Sequence, residues 1–164
     1  MSIILQYARS LVEANPELKF YAEGRTWVNF TRMDWDARLK YRESSGAAIL
    51  PYLAFVNLTR SSTLSVGLWV GPGNLANRES MLRVAKEHRL TGVPKTLSNC
   101  DSTRQYCEIS SFNLLNLSNE VRPPEEIEPL ILVKWNDFLK RELPCIVEAV
   151  RQEEWLWDLP ENAQ

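Results

Sequence analysis

Three stretches of the chain carry residue types that could do chemistry. Glu17-Leu18-Lys19 is a literal Glu-x-Lys at the edge of an apolar run. Metal-dependent nucleases join such a motif to an earlier strand aspartate, so that carboxylates hold a hard divalent cation and activate water. No acidic strand residue precedes it here, so half of that site is missing. Gly71-Pro72-Gly73 stands ahead of a helical pattern, where free N–H groups attract anions. It has no Walker lysine, does not fit GxGxxG, and its proline removes one donor, which leaves a strand-to-helix turn. Cys100, Cys107 and Cys145 form no CxxC pair, and His88 is the one histidine in the sequence, so no zinc set or nucleophile–base pair can be assembled. An enzyme would need carboxylates from among Asp34, Asp36, Glu43, Asp101 or Glu108 to converge in a pocket. The reading is therefore a chain with no catalytic residue, no metal ligand set and no cofactor.

Residues suited to contact with a partner are easier to name. Arg78, Arg83 and Lys86, with Glu79, make a mixed helix face that is either solvated or a partner site. Six tryptophans are many for this length. Trp69 falls on the Ser65/Gly67 face of its strand, opposite the aliphatic stripe, and Trp155 and Trp157 stand near the end of the chain. Exposed aromatics of this kind anchor protein interfaces. The candidate interface is Trp69, Arg78, Arg83, Lys86, Trp155 and Trp157.

The elements that must position these residues follow from periodicity. Ile4, Leu5, Ala8, Leu11 and Val12 recur at helical spacing and end at Asn15-Pro16. Leu18–Ala22 and Arg25–Phe30 flank Glu23-Gly24 as a short hairpin. The charged stretch 31–46 is a short helix or a loop. Ala47–Leu58 and Thr63–Val70 form an apolar hairpin, whose second strand puts Leu64, Val66, Leu68 and Val70 on one face. Both faces of its first strand are apolar, so that strand is central, with pairing expected to begin after Pro51. Met81, Leu82, Val84 and Ala85 mark a helix that stops before Gly92-Val93-Pro94. Arg104–Leu115 reads as a strand anchored by Tyr106, Ile109 and Phe112. Pro124–Gln152 is a long helix with an inward stripe from Ile127 to Val150, which Pro144 should bend or split. This order gives an α+β fold: an antiparallel sheet of about five strands, with an N-terminal helix, a short middle helix and a long C-terminal helix.

Composition sets the class. The 164 residues suit one domain, 1–164, with the tail from Trp155 to Gln164 loosely packed. An apolar share of 45% and a charged share of 24% are those of a globular protein, not a disordered one. Nineteen basic against 21 acidic residues, net −2, do not make a general phosphate-backbone binder. The start of the chain has no basic region or signal-length apolar run, and no stretch approaches a membrane span. A cytoplasmic protein with reduced thiols is the expectation.

One resemblance covers roughly Pro51 to Glu87. The hairpin ending Val70-Gly71-Pro72-Gly73, then Asn77-Arg78-Glu79-Ser80 and a short helix, resembles the C-terminal segment of some bacterial PD-(D/E)XK nuclease-like proteins. The later Trp135, Phe138-Leu139 and Glu142-Leu143-Pro144 are similar to the long helix closing that segment. The nuclease motif is lacking, so the resemblance implies an accessory part alone and carries over no catalytic residue. The expected function is a non-catalytic protein-interaction module, accessory to or an inhibitor of a nucleic-acid-processing or defence system. The alternative is a degenerate nuclease-like nucleic-acid-binding domain. The expected partner is another protein, with nucleic acid second, no membrane, and a homodimer among the assemblies allowed.

Overall fold

A computed structural model describes residues 2–35, 51–58, 63–71, 75–95, 106–117 and 122–153. Helix α1 (Ile3–Glu13) opens the chain, with Ser2 as N-cap: its hydroxyl accepts a hydrogen bond from the Leu5 N–H at 3.3 Å. Strands β1 (Leu18–Glu23) and β2 (Trp27–Arg32) form the first hairpin, and β3 (Pro51–Leu58) and β4 (Thr63–Val70) the second. All are antiparallel, in the order β1-β2-β3-β4. Two short strands, β5 (Cys107–Glu108) and β6 (Phe112–Asn116), both pair with the free edge of β4. Helix α2 (Leu75–Glu87) follows β4. Helix α3 (Pro124–Asp137), a π-helical stretch at Phe138–Glu142 and helix α4 (Leu143–Arg151) close the described chain. The α+β class, the sheet and the three helical regions are as the sequence predicts.

Register decides the faces. Leu53 lies opposite Leu68 and Phe55 opposite Val66, so these side chains share one face of the sheet with Val28 and Phe30. That face carries the core, where each fully buried aliphatic contributes roughly 1.5–3 kcal/mol. Trp135 is the hub between sheet and helices. Its ring lies 5.1 Å from Phe55, 6.0 Å from Phe30 and 5.4 Å from Phe138, the last one stacked. Phe138 in turn meets Phe112 of β6 at 5.9 Å. One cluster thereby ties β2, β3, β6 and the C-terminal helices together.

Four expectations need correction. Pairing starts at Pro51 itself, which lies opposite Val70 as the first residue of β3, a position proline tolerates. The stretch read as one strand is two, broken at Ile109–Ser111. There the Ile109 and Ser110 N–H groups both donate to the Leu68 carbonyl, at 2.8 and 3.2 Å, and the Ser110 hydroxyl accepts from the Leu68 N–H. A side chain at Gly67 would collide with the Ser110 carbonyl, so glycine permits this close crossing. Tyr106, expected as an apolar anchor, is 59% exposed, because it precedes β5 at the sheet edge. The fourth correction concerns Arg78 and is described with the candidate surface.

Pro144 does split the long helix, and the π turn shows how. In an α-helix its ring would press on the Lys140 carbonyl. The wider turn, with the Leu143 N–H bonded to the Phe138 carbonyl, lets α4 restart with Pro144 in its first turn, where proline is tolerated. Ala47–Leu50 and the tail Trp155–Gln164 lie outside the described residues. Among the described residues no helix is long and apolar enough to cross a membrane.

Candidate interaction surface

Helix α3 reads PEEIEPLILVKWND. Its start follows ordinary rules: Pro124 sits in the first turn, and Glu125 and Glu126 meet the positive end of the helix dipole. Ile127, Ile131 and Trp135 recur every four residues and point into the core. One inward stripe is all that a surface helix needs. This helix has more. Leu130, Leu132 and Val133 are 43%, 41% and 62% exposed, and Pro129 is exposed beside them. At 100° per residue these four side chains cover the outward half of the helix. An apolar outward face of this kind is informative because it is contiguous.

Charge borders the patch at both ends. Glu125 and Glu126 lie before it; Lys134, Asp137, Lys140 and Arg141 lie after it, and all but Asp137 are exposed. Beside its N-terminal end a cavity of about 230 Å³ opens between the starts of α1 and α3. It is lined by Ile3, Ile4, Tyr7, Ile127, Glu128 and Ile131 among others. Tyr7 is held above its ordinary value by burial and by the nearby Glu128 carboxylate. The exposed lining is almost wholly hydrocarbon, which suits an inserted apolar side chain.

The opposite face of the sheet forms a second surface. Across β3, β4 and β5 the register aligns Tyr52, Trp69 and Glu108, and Tyr106 packs edge-on against Tyr52 at 6.0 Å. Burial pushes the Tyr52 phenol well above its ordinary value, with smaller contributions from Tyr106 and Cys107. Burial likewise raises Glu108, against a hydrogen bond from Ser111 that lowers it. Trp69 is half-buried, and its indole Nε1 has no hydrogen-bond partner among the described residues.

The residues named from sequence are not gathered into one interface. Trp69 stands on the outer sheet face. Arg83 and Lys86 are exposed on α2, which packs against α4 in the helical layer. Arg83 is committed to Glu87 at 3.0 Å and to Ser80, and Lys86 donates to the Lys95 carbonyl at 2.8 Å. Arg78 is the correction: far from sharing a solvated face, it is wholly buried, and its Nη2 donates to the Gly71 carbonyl at 3.2 Å. Trp155 and Trp157 lie outside the described residues.

The other chemical candidates also separate. Glu17 is exposed and pairs with Arg32 at 3.7 Å, and its N–H is held by the Asn15 side chain. Asp34 is hydrogen-bonded to Arg32, which holds its carboxyl below the usual range. It follows β2 while Glu108 is on β5, three strand spacings or ~14 Å across the sheet. Asp36, Glu43 and Asp101 lie outside the described residues. Cys107 is buried and Cys145 exposed, both as free thiols. Among the described residues no three of His, Cys, Asp and Glu are grouped to hold a metal ion.

The α3 patch is what sequence reasoning missed. Its signal is the unbroken apolar run Pro129-Leu130-Ile131-Leu132-Val133, since a one-sided helix needs a polar residue in two or three of those places. A scan against family models, a search of curated proteins and a search of solved structures each gave no match.

Proposed function

We propose that this chain is a non-catalytic module that works by protein–protein contact, with the outward face of α3 as its docking surface. The observation that carries the proposal is the exposure of Leu130, Leu132 and Val133 on a helix whose other face is already buried. A contiguous run of apolar side chains kept in water on a regular element is a cost that contact with a partner removes. In its narrower form, which rests on the resemblance of the β3–β4 hairpin and α2 to nuclease-associated segments, the module is accessory to or an inhibitor of a nucleic-acid-processing or defence system.

Charge supports a protein partner over a nucleic acid. Arg9 pairs with Glu13 and Glu23, Arg32 with Asp34 and Glu17, Arg83 with Glu87, and Arg151 with Glu148. Each of these four cations is compensated by a neighbouring carboxylate, and the formal net charge of −2 gives no overall positive field for a phosphate backbone.

The test is affinity capture with the tagged full chain from nuclease-treated host lysate, run beside Leu130→Glu and Val133→Glu. A stoichiometric protein partner held by the parent and lost by both variants is the expected result. No retained protein, or retention unaffected by either substitution, would overturn the proposal.

A further inference from the structure

The outward apolar face of α3 continues into the cavity between α1 and α3. With Ile131 taken as the inward direction, Glu128 lies about 60° to one side, and Leu132 and Glu125 lie about 100° and 120° to the same side. Glu128 lines the cavity together with Ile3, Ile4 and Tyr7 of α1. Ile3 is 58% exposed, so it stands where the cavity opens to water. From Ile3 across the cavity to Leu132 and Val133 the surface is hydrocarbon, and Glu128 interrupts it.

That carboxylate decides what can cover the face. Glu128 is half-buried, and its charge adds to the larger effect of burial in holding the Tyr7 phenol above its ordinary value. Among the described residues Glu125, Glu126 and Glu128 make no ion pair, whereas Arg9, Arg32, Arg83 and Arg151 each meet a carboxylate. The cation in the cavity lining, Arg122, is already engaged within the chain. A partner that seats an apolar side chain in the cavity must lie over Glu128 and Leu132. It strips water from a carboxylate, and that loss is unfavourable unless an opposite charge replaces the water. A cation on the partner offsets the loss, while an acidic partner adds repulsion.

We infer that the partner docks through a segment with one large apolar side chain, which enters the α1–α3 cavity, and an adjacent arginine or lysine, which pairs with Glu128 and Glu125. The inference rests on the interaction reading above and names the chemistry of the partner for the same face. A cavity of about 230 Å³ admits one such anchor. The anchor, with Leu130, Leu132 and Val133, supplies buried area, and the cation fixes orientation and makes the contact sensitive to salt.

Random peptides displayed on phage and panned against the full chain supply the probe. Enriched peptides should carry one large apolar residue with arginine or lysine within about four residues of it. Binding of the best peptide, read by fluorescence anisotropy, should weaken about tenfold or more in Glu128→Lys and less in Glu128→Gln. Replacing the peptide's cation by glutamate should weaken binding to the parent and restore it, at least in part, to Glu128→Lys. Ile4→Trp enlarges a lining side chain and should cost about tenfold or more. Ile3→Trp, at an exposed position, makes the same test where the first change disturbs folding. A panning that enriches nothing would overturn the inference, as would enriched peptides without a cation or peptides indifferent to Glu128→Lys or to both tryptophan variants. The same variants in lysate capture separate the two readings. A partner kept by Glu128→Lys and Ile4→Trp but lost by Leu130→Glu and Val133→Glu overturns the basic anchor alone. No captured protein, or capture unaffected by any of the four, overturns the interaction reading with it.

Discussion

Replacing Trp135 tests whether one aromatic cluster holds the two layers together. The residue is almost fully buried, and its indole touches Phe30, Phe55 and Phe138 from three different elements. Truncation to alanine removes the transfer free energy of the ring and leaves a cavity, a loss of about 3–5 kcal/mol for residues of this size. The ring pairs account for part of that, at about 0.5–1.5 kcal/mol each beyond area. For a chain of this length 1 kcal/mol moves the melting temperature by roughly 2–4 °C, so Trp135→Ala should melt about 6–20 °C below the parent. Trp135→Phe keeps a ring in the cluster and should lose less than half as much, which keeps the measurement possible if the alanine variant does not fold. Calorimetry and urea unfolding, read at unchanged m-value, give both numbers. A Trp135→Ala variant within about 2 °C of the parent would refute the idea that this side chain is the hub, because less than 1 kcal/mol would then rest on it.

Three further substitutions follow from local geometry. Glu142 is buried in the π turn and accepts from both the N–H and the hydroxyl of Thr91, at 2.6 and 2.9 Å, pinning the turn after α2. Glu142→Ala should therefore cost about 1–3 kcal/mol in urea unfolding, and a cost near zero would show that water replaces both bonds. Gly67→Ala should be destabilised by about 1–3 kcal/mol, because the Ser110 carbonyl must move and strain the β5–β6 crossing. Glu108 gives a pH dependence. Burial holds its carboxyl above the ordinary value of 4.5, so the folded chain binds the proton more tightly than the unfolded chain. Stability from this group is full below 4.5 and falls as the pH rises through the window above it. Glu108→Gln should melt higher than the parent at neutral pH and equally at acidic pH; a difference independent of pH would contradict the assignment.

The parts of the fold legible in the sequence are those governed by strict periodicity. The alternation Leu64, Val66, Leu68, Val70 could be satisfied only by a strand with one buried face, and β4 is that strand. The four-spaced stripe of α3 and the break at Pro144 were legible for the same reason. Less legible were features set by long-range contact. Nothing local to Cys107–Asn116 reveals that two short strands share the edge of β4, because the break is imposed by the Leu68 carbonyl and the missing side chain of Gly67. Arg78 looks like any surface arginine on a helix. It is nevertheless wholly buried, with its Nη2 on the Gly71 carbonyl, a backbone partner that residue types do not display. The outward apolar face of α3 is present in the run 129–133, but the stripe of Ile127, Ile131 and Trp135 by itself accounts for a helix, so the periodicity does not single out 130, 132 and 133.

Photo-cross-linking from position 133 tests the central claim most directly. A photoreactive phenylalanine at Val133 of the full chain, irradiated in the host and resolved by mass spectrometry, reports what covers α3. The same probe at Glu79, exposed on α2, serves as the control. A discrete protein adduct from position 133, absent from position 79, is the expected result. No specific adduct from position 133, or an adduct with nucleic acid, would contradict the account.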